Sequence, residues 1–299
     1  MGRMSGKVVL ITGGARGQGR SHATRMAQEG ADIIITDVCE QLPYVDYDMS
    51  KPEDLAETVS LVEALDQRCL SYVADARDVK TMRDVVNDAV SQFGHLDTVI
   101  INHGISTRHD VHSEDADEIW DLIVDTNLSA VFKTARAVVP HMMETGGSII
   151  ATASAAALVP LFGNTAYAAA KHGVIGLVRT LAAELAPHWI RVNAVCPTAV
   201  STPLFLNDAH VRAFCGPDPS KTYEDMKWPA QSLNLLPVPW IDADAVSSAM
   251  VYLASDEGKY VTGVALPVDA GMTAQPPGIT PFIGTRLWEL QNQLDNLNA

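Results

Sequence analysis

Cysteine is scarce in this 299-residue chain, and the four present, Cys39, Cys69, Cys196 and Cys215, lie far apart. That excludes a disulfide-dense secreted scaffold and leaves no paired zinc-type spacing. Reduced thiols in a cytoplasm are the expectation. Basic residues are also few: 21 Lys and Arg stand against 36 Asp and Glu, a formal net charge of -15, with no local run of cations. A phosphate backbone would be repelled, so nucleic acid is excluded as a partner. Aromatics are only 6% of a chain that is 47% hydrophobic and 19% charged, which excludes disordered and fibrous classes and points to an aliphatic core. No apolar stretch approaches the roughly 20 residues needed to cross a bilayer. The start, Met1 to Lys7, runs straight into a five-residue apolar strand, too short for a signal sequence, so no targeting segment is expected. His141, His172, His188 and His210 are dispersed and suggest no metal.

What the chain does have is a regular beat of short β-rich apolar runs and helical patterns. Strands are expected at 8–12, 33–36, 70–74, 98–101, 148–152, 191–195 and 264–267, and helices at 19–28, 52–66, 79–93, 115–144, 164–186 and 242–254. This alternation predicts an α/β fold, a doubly wound parallel seven-stranded sheet in a single domain over 1–272, followed by an extension at 273–299 with a helix-like segment at 285–297. Two segments break the beat. A polar insertion spans about 39–52, and a Pro-rich loop with scattered Leu, Phe, Met and Trp spans about 202–240. Such loops in a compact domain usually form lids or binding walls. The apolar side chains of the second suit a hydrophobic substrate, packing or an oligomer contact equally.

The first strand runs into Thr12-Gly13-Gly14-Ala15-Arg16-Gly17-Gln18-Gly19, and a helix follows at once. Strand, glycine loop and helix in this order let backbone N–H groups meet a pyrophosphate at a helix N-terminus. Asp37 ends the second strand about twenty residues on, where a carboxylate binds the adenosine ribose hydroxyls and repels a 2′-phosphate. NAD is therefore expected over NADP, although the Arg16 guanidinium would suit a 2′-phosphate, and a strand-end Asp also serves turns and caps. Asp75 with Ala76, and Asn102, His103 and Gly104, follow the third and fourth strands, at the carboxyl ends where open α/β sheets bind ligands.

Tyr167-Ala-Ala-Ala-Lys171 sets a phenol and an ammonium on one helix face, and a nearby cation is expected to lower the phenol's pKa. Ser154, just past the fifth strand, can hold a substrate oxygen. Asn127 is a polar residue among Ile123, Leu128 and Val131. It needs a partner, and a backbone carbonyl or a relay water would serve. The acidic run 113–118 suits a helix start.

With these motifs in order and in familiar spacing from about 5 to 271, the chain resembles the short-chain dehydrogenase/reductase family. The resemblance implies that Tyr167 is the general acid/base, that Lys171 binds the nicotinamide ribose and perturbs Tyr167, that Ser154 orients substrate and that Asn127 supports a proton-relay water. It further implies cofactor contacts from Pro197, Val200 and Thr202, and a homotetramer built through helices around 115–144 and 164–186. Two departures stand out: His103 where the family has Ala, and Thr198 where it has Gly. The glycine turn, the insertion, Pro197 to Pro203 and Val261 to Asp269 also resemble the actinobacterial subgroup described as mycofactocin-coupled, which includes carveol dehydrogenases. That resemblance implies a tightly held NAD, mycofactocin as electron acceptor, and a hydrophobic secondary alcohol or ketone, terpenoid in kind, as substrate. Two other readings fit the same residues: a 3-oxoacyl thioester reductase and a non-catalytic NAD sensor.

Overall fold

The structure, a computed structural model, describes residues 2–275; the extension expected beyond them, with its helix-like segment, lies outside the described residues from 276 onward. The strands are Val8–Thr12 (β1), Asp32–Asp37 (β2), Cys69–Val73 (β3), Thr98–Ile101 (β4), Gly147–Thr152 (β5), Ile190–Pro197 (β6) and Ala265–Val268 (β7). They form one sheet in the order β3-β2-β1-β4-β5-β6-β7, every neighbour parallel. The helices are Gly17–Gln28 (α1), Pro52–Glu63 (α2), Val79–Phe93 (α3), Ala116–Val124 (α4), Ala130–Val138 (α5), Thr165–Leu185 (α6), Asp208–Cys215 (α7), Tyr223–Gln231 (α8) and Ala243–Ala254 (α9).

Strand β1 reads Val-Val-Leu-Ile-Thr with every residue buried, because helices cover both faces of the sheet and its side chains alternate between them. Val8 and Leu10 enter the core with Met82 and Val86 of α3, Val131 of α5 and Val174 of α6. Val9 and Ile11 enter the other core with Met26 of α1, Val62 of α2 and Met250 of α9. The direction of strand ordering reverses between β1 and β4, which opens a crevice at their carboxyl ends.

Two sequence expectations need correction. The single helix expected over 115–144 is α4 and α5 separated by a π-helical turn, Asp125–Ser129, and it ends in a 3-10 turn, Val139–His141, that contains Pro140. Widened turns of this kind concentrate at functional positions, and this one carries Asn127. The segment 202–240 is not an irregular lid. It holds α7, capped by the Asn207 side chain on the His210 N–H, and α8, opened by a Thr222–Asp225 capping box. Phe205, Val211, Met226 and Ala230 give it a small core of its own. Among the described residues no helix is long and apolar enough to cross a membrane, and no group of three or more His, Cys, Asp and Glu could hold a metal.

Candidate active site

The glycine loop after β1 is shaped by backbone crowding. Gly13 and Gly17 have φ of +66° and +56°, and a Cβ on Gly19 would lie 1.9 Å from the carbonyl oxygen of Gly13. Only glycine permits that approach. The N-cap of α1, Arg16, makes no side-chain cap, and the first turn holds no acidic residue, so its N–H groups remain suited to an anion. The loop opens on a cleft of about 940 Å³ bordered by Asp37, Asp75, Ala76, Asn102, His103 and Gly104. A glycine cradle, a helix terminus and a strand-end carboxylate in one cleft fit a dinucleotide.

Asp37 is almost buried, and its carboxylate accepts the Ala15 N–H at 3.0 Å and the Ser50 hydroxyl at 2.5 Å. Asp75, expected to face an adenine, is gripped by Arg77, whose Nε and Nη2 lie 2.7–3.0 Å from its oxygens. Burial works against that carboxylate, but the Arg77 hydrogen bonds and charge hold its pKa below the usual value. The Arg16 guanidinium reaches across to the insertion and donates to the Asp48 carbonyl.

The insertion is a strap across this cleft. Leu42, Tyr47, Met49 and Ser50 line the cleft. Leu42 and Val45 pack with Ile119 and Ile123 of α4 and with Ala166 and Ala170 of α6. Gln41 braces the strap from within, donating to the carbonyls of Val45 and Tyr47 and accepting the Met49 N–H. Tyr47 accepts the Ser106 N–H at 3.3 Å, and burial pushes its phenol up to about 12, so it stays neutral. Cys39 and Tyr44 adopt φ of 50° and 60°, conformations that side chains accept only where surrounding contacts fix them.

A second cavity, about 1330 Å³, is lined by Ser154, Tyr167, Lys171, Pro197, Val200 and Thr202. Lys171 is buried and donates to the Thr152 carbonyl at 2.8 Å, with Nζ 5.6 Å from the Tyr167 ring centre. Asn127, fully buried in the π-turn, donates to the Ile105 carbonyl at 2.8 Å and accepts the Ile105 N–H at 3.0 Å; the backbone carbonyl is thus its partner. A Cβ on Gly104 would stand 2.7 Å from Asn127 Oδ1 and 3.5 Å from Lys171 Nζ, so glycine keeps these two groups in place. Ser154 Oγ accepts the Ala156 N–H at 3.1 Å, leaving its own proton to donate. Thr198 has no positive φ, so the position makes no demand for glycine; its hydroxyl donates to Asn234 Oδ1 at 3.0 Å.

One expectation about electrostatics is overturned. Tyr167 is not lowered: burial raises its pKa, with the neighbouring Ser154 hydrogen bond pulling the other way. Burial brings Lys171 down to about 8. Desolvation of the phenolate outweighs the Ser154 hydrogen bond.

His103, in place of the family's Ala, meets Thr12 Oγ1 through Nδ1 at 2.7 Å, and burial, then the Lys171 charge, lower it to about 4, so it is neutral. His22 is fully buried on Ser247 at 2.7 Å, and burial lowers it from 6.5 to about 3. A histidine with a depressed native pKa leaves proton uptake to the unfolded chain below pH 6.5, so stability falls as pH drops from 6.5 toward 3. His22→Gln is expected to remove about 2 kcal/mol of the stability difference between pH 8 and pH 5, read from urea unfolding midpoints. An unchanged pH dependence would refute the assignment.

Arg77, Tyr47 and Ser50 were not singled out by sequence reasoning. Arg77 follows Asp75 by two residues and could have been read as its partner, whereas Tyr47 and Ser50 were marked only as members of the insertion.

Residues 7–211 match the family model described as short chain dehydrogenase. The chain is 43% identical to (-)-trans-carveol dehydrogenase of Rhodococcus erythropolis over 91% of this chain and 99% of that protein. Carveol dehydrogenase from Mycobacterium avium, solved in complex with NAD, superposes with a TM-score of 0.90 at 46% identity, covering 92% of this chain and all of that one. A short chain dehydrogenase from Mycobacterium paratuberculosis, bound to NAD, gives a TM-score of 0.83 at 38% identity, covering 92% and 100%. With the glycine cradle, the Asn-bearing π-turn and the Ser154–Tyr167–Lys171 cavity on one sheet edge, the chain belongs to the short-chain dehydrogenase/reductase family and carries the alcohol-oxidising, ketone-reducing machinery of that family.

Proposed function

We propose that this protein is an NAD-dependent dehydrogenase of hydrophobic secondary alcohols, acting equally as a ketone reductase, with a carveol-like terpenoid as its substrate type. The observation that carries this reading is the shared cavity of Ser154, Tyr167 and Lys171, opening beside the Asp37-bearing cleft and walled by Phe205, Phe214 and Leu233. Bound NAD would supply the acceptor for the hydride that leaves the carbinol carbon. Gly13, Ala15, Arg16, Gly17, Gln18 and Gly19 would hold its pyrophosphate and Asp37 its adenosine ribose, with Asp75 and Ala76 bordering the adenine. Asn102, His103 and Gly104 would lie beneath it, Lys171 at the second ribose, and Pro197, Val200 and Thr202 at the carboxamide. The Ser154 hydroxyl donates to the substrate oxygen, and Tyr167 takes the alcohol proton during oxidation and returns it during reduction. Asn127, fixed on Ile105, holds the loop after β4 in register with Lys171.

The strap supports a tightly held NAD; reoxidation in place by mycofactocin, and a cytoplasmic homotetramer, complete the proposal on family resemblance alone. Ser50 locks Asp37, the Arg16 guanidinium engages Asp48, and Leu42 and Val45 join the strap to α4 and α6, so release of a dinucleotide would require several contacts to open together. The test is a panel of secondary alcohols assayed with free NAD, with NADP and with an artificial electron acceptor, using protein purified under gentle desalting. Retained NAD and dye-dependent oxidation of cyclic alcohols are expected, with NAD bound at least tenfold tighter than NADP. Protein free of nicotinamide that turns over with soluble NAD would remove the captive-cofactor reading. Bound NAD with no turnover under any acceptor would instead make the chain a nucleotide sensor.

A further inference from the structure

The chain carries a formal net charge of -15, yet among the described residues no Asp or Glu lines its substrate cavity, whose wall holds the cations Lys171 and Arg108. Lys171 is occupied by the Thr152 carbonyl and the catalytic tyrosine. Arg108 is not explained by the chemistry. It sits on the loop after β4, half-buried, and its Nη2 donates to the Phe162 carbonyl at 3.2 Å. A Cβ on Gly163 would lie 3.0 Å from the same nitrogen, so a glycine with φ of +69° lets the guanidinium rest against that turn. No carboxylate pairs with Arg108 among the described residues. Four of its five N–H donors therefore lack a protein partner there. Across the cavity, His210 of α7 is neutral: burial, then the Arg108 charge, lower it to about 4. It packs against Phe205, the two rings tilted by 49° with centres 4.9 Å apart. The rest of the wall is apolar or neutral: Leu161, Phe162, Phe205, Phe214 and Leu233, with Asn164.

A guanidinium fixed by one backbone carbonyl in an apolar wall is a site for a planar anion, which it can meet with two parallel hydrogen bonds. We propose that the substrate is an alicyclic or short aliphatic secondary alcohol that also bears a carboxylate, and that Arg108 is the residue that selects it. The proposal rests on the dehydrogenase reading above and replaces its neutral terpenoid with an acidic secondary alcohol. The hydrocarbon body packs on the aromatic wall, the carbinol meets Ser154 and Tyr167, and the carboxylate meets Arg108. Charge-assisted hydrogen bonds of this kind contribute about 1.5–3 kcal/mol, roughly ten- to a hundredfold in affinity.

The experiment compares 3-hydroxycyclohexanecarboxylate with 3-methylcyclohexanol, a neutral match in shape, in wild type, Arg108→Met and Arg108→Lys. In parallel, binding of cyclohexanecarboxylate is measured by calorimetry. Wild type is expected to prefer the acid at least tenfold in kcat/KM through a lower KM. Arg108→Met should bring that ratio to within twofold, Arg108→Lys should restore part of it, and cyclohexanecarboxylate should bind wild type at least tenfold tighter than Arg108→Met. If both alcohols are oxidised at similar KM and the ratio is indifferent to Arg108, the anion site is wrong and the dehydrogenase reading stands. If neither alcohol is oxidised yet cyclohexanecarboxylate binds in an Arg108-dependent way, the dehydrogenase reading fails and the anion site stands.

Discussion

Tyr167→Phe is expected to lower alcohol oxidation by about 10²- to 10⁴-fold, the range that a positioned proton-transfer group contributes, while leaving NAD affinity within twofold. On the proposed mechanism the phenol lining the cavity takes the carbinol proton. Removing one oxygen leaves the ring packed against the buried cluster that contains Ile123, Ala166 and Ala170, so fold and cofactor cleft should persist. The raised pKa of the tyrosine gives the expected pH behaviour a sign. Oxidation needs the phenolate and should climb toward alkaline pH, whereas reduction needs the phenol and should hold through neutrality. Single-turnover rates from enzyme preloaded with NAD, measured between pH 6 and pH 10, check both points. A variant that kept near wild-type turnover would remove Tyr167 from its role.

The second large effect is expected at the phosphate turn. Gly19→Ala places a methyl carbon 1.9 Å from the Gly13 carbonyl oxygen, a contact with backbone that no rotamer relieves. Overpacking of this sort costs about 1–3 kcal/mol or more, and here it falls on the turn that would hold the pyrophosphate, so NAD affinity should drop about ten- to a hundredfold. Gly176→Ala is the matched control: it lies in α6 and a Cβ there meets nothing within 4 Å. That change should stabilise the protein by about 0.5–1 kcal/mol and leave NAD affinity alone. Calorimetric titration of both variants, with thermal unfolding alongside, separates a lost cradle from a generally damaged fold. Equal NAD affinity in Gly19→Ala and wild type would mean that the loop does not bind the dinucleotide.

The contrast between those two glycines shows where sequence reasoning stops. Gly19 belongs to a strand–loop–helix pattern whose backbone demand can be read locally, and Tyr167 and Lys171 share a helix face by spacing alone. The strand runs were legible because a sheet covered on both faces needs continuous apolar segments. The break in the helix expected over 115–144 was not, because the π-turn at Asp125–Ser129 goes with a hydrogen-bond partner, Ile105, 22 residues earlier in the chain. Helices α7 and α8 were hidden for a related reason: Pro229 lies inside α8, and their small core is assembled from residues spread over 205–230.

Fold class and the glycine turn are legible in the sequence, which also singles out Asp37, Asn127, Ser154, Tyr167 and Lys171 as candidates, since each is written in local periodicity or short spacing. What the insertion touches, the direction in which burial shifts the tyrosine and which cation lines the cavity come only from the tertiary structure. Those properties depend on groups far apart in the chain: Arg16 reaching Asp48, Ser50 reaching Asp37, burial raising Tyr167, and Arg108 brought to the Phe162 carbonyl 54 residues away. Desolvation and long-range hydrogen bonds arise only once the sheet has closed the distance between them.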